Sequence, residues 1–382
     1  MDFKRLLDLG RLRDSAFLLG PRMTGKTYLL RRLRAALYLD LLDQEIELEL
    51  RQTPGLLWEQ LLALKRGSLV VVDEVQRVPV LLNYVQKGIE ERKLQFMLSG
   101  SSARKLKRGG ANLLGGRALD LRMHPLTADE IGKRFRIETA FQLGTLPKVQ
   151  QLLADGRPED AKRFLRAYYT VYIKEEVQAE ALTRNVGAFQ RFLQVAAQAN
   201  GQVIEFANIS RECSVPASTV KEYYSILEDT LLGEFLWPWD RSERKKARPK
   251  FYFFDCGVVR SIQNRLNDPP TSLERGPLFE TWFVREIIRC RDYLEKGHRF
   301  SFWRQDSEEI DLLVEGGAGP IMAFECKSGQ VTLRKATVDA FRKRFSGVPL
   351  VVASLADRVP RRLASDVEVL PWKPAIQRYC SL

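Results

Sequence analysis

Residues Gly20–Thr27 read GPRMTGKT, and this stretch decides the architecture. It fits G-x-x-x-x-G-K-[ST], the loop that wraps a phosphate chain. The flanks agree with it. Ser15–Gly20, SAFLLG, reads as a short buried strand; Lys26–Leu37, KTYLLRRLRAAL, spaces its leucines as a helix ending near Leu37. Strand, glycine loop and helix are the order the motif requires. Gly20 and Gly25 let the backbone turn its N–H groups towards phosphate, and Pro21, Arg22, Met23 and Thr24 complete the loop. The start of the helix adds partial positive charge. Lys26 is expected to reach the β- and γ-phosphates and Thr27 to ligate Mg2+, so ATP with Mg2+ is the expected ligand pair.

Further along, Ser68–Gln76, SLVVVDEVQ, is a β-branched run that ends in two acids. Asp73 at the carboxyl end of such a strand is placed to hold Mg2+ through water. Glu74 beside it is placed to polarise an attacking water, which points to hydrolysis and not to binding alone. Leu94–Leu106, LQFMLSGSSARKL, reads as another core strand followed by Ser99, Ser101 and Ser102, where a polar residue can sense the γ-phosphate or simply form a turn. Arg117 follows two glycines and could reach a phosphate, in the same chain or from a neighbouring subunit; the alternative is a solvated arginine.

The bulk numbers set bounds. A chain of 382 residues has room for two or three domains. Lys and Arg total 61 against 48 Asp and Glu, a formal net charge of +13, which favours a polyanion partner, nucleic acid before membrane. Five scattered cysteines without C-x-x-C fit a reducing compartment, and two histidines, His124 and His298, make a zinc site a poor expectation. With no apolar run of transmembrane length and no signal-peptide pattern, the expectation is a soluble cytoplasmic protein with no membrane partner.

GPRMTGKTYLL, YLDLLD, VVVDEVQRVPVLLNYVQ, FMLSGSSARKL, GGRALDLRMHPLTADEI and GTLP occur in this order. Together they resemble a family of prokaryotic AAA-type ATPases that carry a C-terminal domain of unknown function. The resemblance spans nearly the whole chain. It implies an ATPase core in which Lys26, Thr27, Asp73 and Glu74 have the roles above, Ser101 is the sensor and Arg117 reads phosphate.

After residue 150 the α/β alternation stops. Pro158–Leu182 and Ala188–Gly201 read as helices, with an apolar face of Phe164, Leu165, Tyr168, Tyr172 and Ile173 on the first. Ile204–Leu232 reads as helix, tight turn, helix, with Ser218 or a neighbour capping the second. Strands EFLWPW and PKFYFFD follow, so the pattern is that of a winged helix. The second helix, with Glu222, Glu228 and Asp229, is a poor face for a major groove. The loop Arg241–Lys250, RSERKKARPK, is a better candidate for phosphate contacts with DNA; an interdomain packing module is the alternative.

From about residue 270 a third domain is expected: a helix through GPLFETWFVREIIRC, strands HRFSFWRQ, EIDLLVE and PIMAFECKSG, a helix, and strand VPLVVAS. Asp311 and Glu325 fall on successive strands, and Glu325 and Lys327, two apart, share a face. Carboxylates hold Mg2+, and a lysine there can orient water or stabilise developing charge. Glu280 on the preceding helix can complete the metal shell. This is the D…E-x-K core of the PD-(D/E)XK nuclease-like fold, similar to what the family carries here; a surface salt-bridge cluster is the plainer alternative. The fold class expected is therefore α/β throughout its ends: an AAA-type P-loop NTPase domain over 1–150, a helical, winged-helix-like domain over 151–268 and a PD-(D/E)XK nuclease-like α/β domain over 269–382. An arginine acting between subunits would make the protein a homo-oligomer. The rival to an ATP-driven action on DNA is a nucleotide-switched protein-interaction module with an inactive nuclease fold.

Overall fold

The computed structural model describes residues 3–101, 114–173, 186–239, 248–364 and 367–382. The phosphate-loop motif sits in a parallel sheet of order β2-β3-β4-β1-β5. Its strands are β1 (Ser15–Leu19), β2 (Leu37–Asp40), β3 (Leu69–Asp73), β4 (Gln95–Gly100) and β5 (Ala118–Arg122). The central strands are apolar on both faces because helices cover both. Phe17 pairs with Leu98, and Val72 with Leu39 and Leu98, all buried. Helices α1 (Lys26–Leu30), α2 (Gln44–Gln52), α3 (Gly55–Leu62) and α4 (Leu81–Arg92) pack around this sheet. The sequence called for a helix to Leu37; α1 stops at Leu30. The chain has to re-enter the sheet at once: the Ala36 N–H donates to Leu69 O at 2.8 Å and Leu37 already pairs with Val70.

The next helices leave the parallel sheet. They are α5 (Ala128–Ile131), α6 (Ile137–Leu143), α7 (Pro147–Ala154), α8 (Pro158–Ala167), α9 (Val186–Gln198), α10 (Phe206–Cys213), α11 (Ala217–Asp229) and α12 (Cys256–Ile262). α5 opens with a capping box between Thr127 and Glu130. Although α5 and α6 lie before residue 150, Ala128, Ala140 and Phe141 belong to the apolar core of the C-terminal part, where Phe141 meets Phe279 at 6.4 Å. The helix-turn-helix is present as α10 and α11, with Pro216, not Ser218, at the cap position of α11. Its core is aromatic: Phe192, Tyr224, Phe251 and Phe253 are fully buried.

The predicted wing is where the structure departs most from expectation. Strands β6 (Gly233–Pro238) and β7 (Lys250–Phe253) form the antiparallel pair, but β6 also pairs in parallel with β8 (Arg299–Gln305) through Trp237 and Ser301. The hairpin is thereby the edge of the C-terminal sheet, whose order is β12-β13-β11-β10-β9-β8-β6-β7. Its other strands are β9 (Glu308–Gly316), β10 (Gly319–Lys327), β11 (Leu350–Ser354), β12 (Arg361–Ala364) and β13 (Val367–Pro371). Helices α13 (Ser272–Tyr293), α14 (Lys335–Arg344) and α15 (Trp372–Cys380) complete this region. α13 and α15 pack apolar side chains against one face, with Trp282 and Trp372 at 5.1 Å, and α14 covers the other through Phe341. A boundary at 268 therefore cuts through one continuous sheet.

Candidate functional site

A nucleotide cleft and a carboxylate cluster

Gly20–Thr27 forms the turn between β1 and α1. Gly25 has φ +99°, and a Cβ at Gly20 would stand 2.3 Å from Met123 O, so both glycines are required by the backbone. Thr24 Oγ1 donates to Pro21 O at 2.8 Å and tightens the loop. The Lys26 ammonium lies back over the loop, donating to Gly20 O at 2.7 Å and Pro21 O at 3.1 Å. These carbonyls hold the cationic head within the loop.

Opposite stands the end of β3. Asp73 is fully buried; one carboxylate oxygen accepts from Ser99 Oγ, the other from Tyr38 OH at 3.0 Å. Ser99 Oγ in turn accepts the Glu74 N–H at 2.9 Å. Glu74 adopts a left-handed conformation, φ 60° and ψ 43°, which turns the chain out of the strand. The Gln76 side-chain amide donates to Glu74 Oε2 and to Ser101 Oγ, the latter at 3.3 Å. Arg22, Met23, Gly25, Lys26, Thr27, Glu74 and Ser101 line one cleft of about 710 Å³. Arg51 of α2 and Arg77, three residues after Glu74, line it too, both paired with Glu47; Arg51 was not legible in sequence because only tertiary packing brings α2 to this mouth. Thr27 lines the cleft and Asp73 lies buried behind it, both carrying the hard oxygen donors that Mg2+ takes. Arg117 is not among the lining residues. Its Nε pairs with Glu90 of α4 at 2.8 Å, and both side chains are partly exposed. Ser102 lies outside the described residues.

A second cluster lies in the C-terminal part. Asp311 on β9, Glu325 and Lys327 on β10 and Glu280 on α13 meet at one place. Lys327 Nζ donates to Glu325 Oε1 at 2.6 Å, and Asp311 Oδ2 accepts the Cys326 N–H at 2.8 Å. Burial, with the Asp311 charge next, pushes the Glu325 carboxyl up to about 8 and Glu280 up to about 7. One further residue was assigned to the wrong place. Lys250, expected on an exposed basic loop, is buried, and its Nζ lies 2.8 Å from Glu280 Oε1, 2.7 Å from Glu309 Oε1 and 3.6 Å from Asp311 Oδ1. Burial would lower the Lys250 pKa, but Tyr252, Glu280, Asp311 and Glu309 hold it well above the usual lysine value. Tyr252 OH also donates to Glu280 Oε1, at 2.6 Å. The donor atoms suit a hard cation, and Glu325 Oε2 is buried without a hydrogen-bond partner, yet an ammonium already occupies the centre. In this arrangement the cluster does not fit a divalent ion; among the described residues no group of three or more His, Cys, Asp or Glu is set to hold one. Of the basic loop, residues 240–247 lie outside the described residues, and Arg248 pairs with Glu205.

The two sites are physically joined. Arg5, buried, donates through Nη1 to Thr24 O of the phosphate loop at 2.9 Å and through Nη2 to Tyr293 OH at 2.8 Å. Its Nε pairs with Glu130 at 2.9 Å. Tyr293 ends α13, the helix that carries Glu280.

The fold and the loop define an AAA-type P-loop domain at the N-terminal end. Accordingly, residues 13–132 match a family model described as an AAA domain. Residues 135–268 and 275–373 match two models described as domains of unknown function, DUF8612 and DUF4143. No curated protein matches the chain. Among solved structures, the chain is similar to the Aeropyrum pernix Orc1 protein in complex with DNA at 13% identity and TM-score 0.31, covering 67% of this chain and 87% of that one. It is similar to Can2 from Sulfobacillus thermosulfidooxidans in complex with cyclic tetra-adenylate at 12% identity and TM-score 0.21, covering 90% and 97%. Likeness this distant carries no argument about function. Among the described residues no helix is long and apolar enough to cross a membrane.

Proposed function

We propose that the chain binds ATP with Mg2+ in the cleft between Gly20–Thr27 and the end of β3, hydrolyses it, and uses the cycle to act on DNA through its C-terminal part. One observation supports the ATPase reading above others: Glu74, Ser101 and Lys26 line a single cleft, with Asp73 buried behind them. Lys26 would leave the loop carbonyls for the phosphates. Glu74 would take the proton of the attacking water, with Gln76 holding its carboxylate in place. Mg2+, held by Thr27 and Asp73, supplies charge neutralisation at the phosphates when bound. Ser101 is the candidate sensor, and Arg117 the candidate phosphate-reading arginine, in the same chain or from a neighbouring subunit. The test is single-site: Glu74→Gln should keep ATP affinity and lose turnover by about 100-fold or more. Turnover at the wild-type rate would remove Glu74 from the mechanism.

For DNA the support is the net charge of +13 and the D…E-x-K arrangement. The seat of Lys250 favours a second reading, a nucleotide-switched module whose nuclease-like fold does not cut in this arrangement. Duplex binding that weakens steeply with salt supports the first reading, and absence of binding at low salt supports the second. Plasmid nicking in Mg2+ or Mn2+ that Lys327→Ala abolishes would exclude the second.

A further inference from the structure

Burying an ammonium costs several kcal/mol unless carboxylates surround it. Lys250 has them: Glu280, Glu309 and Asp311 lie within 3.6 Å of Nζ, and the residue is 3% exposed. Its stem is fixed as well. Lys250 begins β7, pairs with Leu236 of β6 and bridges to Val203. It lies in the segment matched by DUF8612, whereas all of the carboxylates lie in the segment matched by DUF4143. The cluster is thus assembled from two units, acids from one and cation from the other.

A divalent ion would compete with Nζ for the same atoms. Mg2+ requires oxygen ligands at about 2.1 Å in near-octahedral geometry. Glu280 Oε1 already accepts from Lys250 and Tyr252, and Asp311 Oδ2 accepts from Cys326 N. Glu325 Oε2, by contrast, is buried, has no hydrogen-bond partner and lies on the strand next to Asp311. It is a ligand atom without a cation, since Lys250 pairs with Glu280, Glu309 and Asp311.

We propose that Lys250 is the resident cation of this cluster and seals it against divalent metal, so that a metal enters only when the Lys250 ammonium is withdrawn. This concerns the regulation of the C-terminal site and rests on the reading of that cluster as nuclease-like, not on DNA binding itself. Lys250 is a positioning residue: it neutralises and orders Glu280, Glu309 and Asp311, and its withdrawal frees their oxygens beside Glu325 on the neighbouring strand.

The test uses the full chain without nucleotide and Mn2+ as the probe, read by electron paramagnetic resonance and by thermal melting. Wild type should hold no Mn2+ that Asp311→Asn removes, and Mn2+ should leave its melting midpoint unchanged. Lys250→Met should melt lower, should gain one Mn2+ site that Asp311→Asn removes, and should recover about 5 °C with Mn2+. Should Lys250→Met not fold, Lys250→Gln, one bond shorter than lysine but still carrying an N–H donor and no charge, carries the same expectation. Mn2+ bound by wild type in an Asp311-dependent manner overturns the proposal, as does a folded Lys250 variant that gains no site. Loss of DNA binding in wild type would sink the DNA reading and leave these outcomes as they stand.

Discussion

Two buried polar groups illustrate how the protein handles charge. Asp73, fully buried, accepts hydrogen bonds from two hydroxyls, Ser99 and Tyr38. His124 is the opposite case. Burial pushes its imidazole down to about 4 from 6.5, against the opposing pull of Asp292, whose carboxylate accepts Nε2 at 2.6 Å. Burial would raise Asp292, but His124 and Arg291 hold it below the usual carboxylate range. We therefore take His124 as the neutral tautomer donating to ionised Asp292, with Arg285 and Arg289 adding repulsion to any proton taken up. The sign follows. Between pH 6.5 and about 4 the unfolded chain binds a proton that the folded one refuses, so stability falls as pH falls through that window. Glu286, pushed up to about 7 by burial, works the other way, losing stability as pH rises from 4.5. Because Glu286 titrates in the same window, the histidine is isolated only by difference: in urea melts at pH 7 and pH 5, His124→Gln should become less destabilised, or more stabilised, on acidification than wild type. An equal loss would mean that His124 does not set the slope.

Helix and strand ends carry the next level of organisation. α6 ends at Leu143, and Gly144 follows with φ +73°. A Cβ there would stand 1.8 Å from Asp255 Oδ1. Asp255 caps α12 through the Val258 N–H at 3.2 Å and also accepts the Thr145 N–H at 2.7 Å, so one carboxylate ties α6 to α12. Burial raises the Asp255 pKa, and those N–H donors oppose the rise. Gly144→Ala should therefore cost about 3 kcal/mol or more in chemical denaturation, from strain and from the displaced cap together. A loss under about 1 kcal/mol would show that the loop relaxes freely. The GTLP stretch was legible as part of a resemblance; its physical role was not, because Asp255 is over a hundred residues away.

Across the molecule, α13 is the shared beam. Near its start Glu280 enters the carboxylate cluster, and at its end Tyr293 meets Arg5, which holds Thr24 O. Between them, Glu286 accepts the Ala128 N–H and Arg289 donates to Leu126 O, fastening the helix to the segment after β5. A change at Tyr293 is thus expected to be felt at the phosphate loop. Tyr293→Phe should cost about 1–2 kcal/mol, the value of its lost hydrogen bonds, and should shift ATP affinity several-fold though it touches no nucleotide. Calorimetric titration of an ATP analogue checks this, and unchanged affinity would leave Arg5 a purely structural tie.

The nucleotide cleft was readable in advance because its chemistry is local. Eight consecutive residues make the loop, and Asp73–Glu74 end a strand whose apolar run marks it as buried. The D…E-x-K acids were readable for the same reason: strand alternation alone puts Glu325 and Lys327 on one face. What no local pattern carried was the destination of Lys250. In sequence it belongs to a run of basic residues that reads as solvated. In the fold β6 joins β8, the hairpin becomes the sheet edge, and this lysine is drawn under the acids of another segment. Long-range strand pairing, not composition, decides whether a lysine meets water, phosphate or three carboxylates.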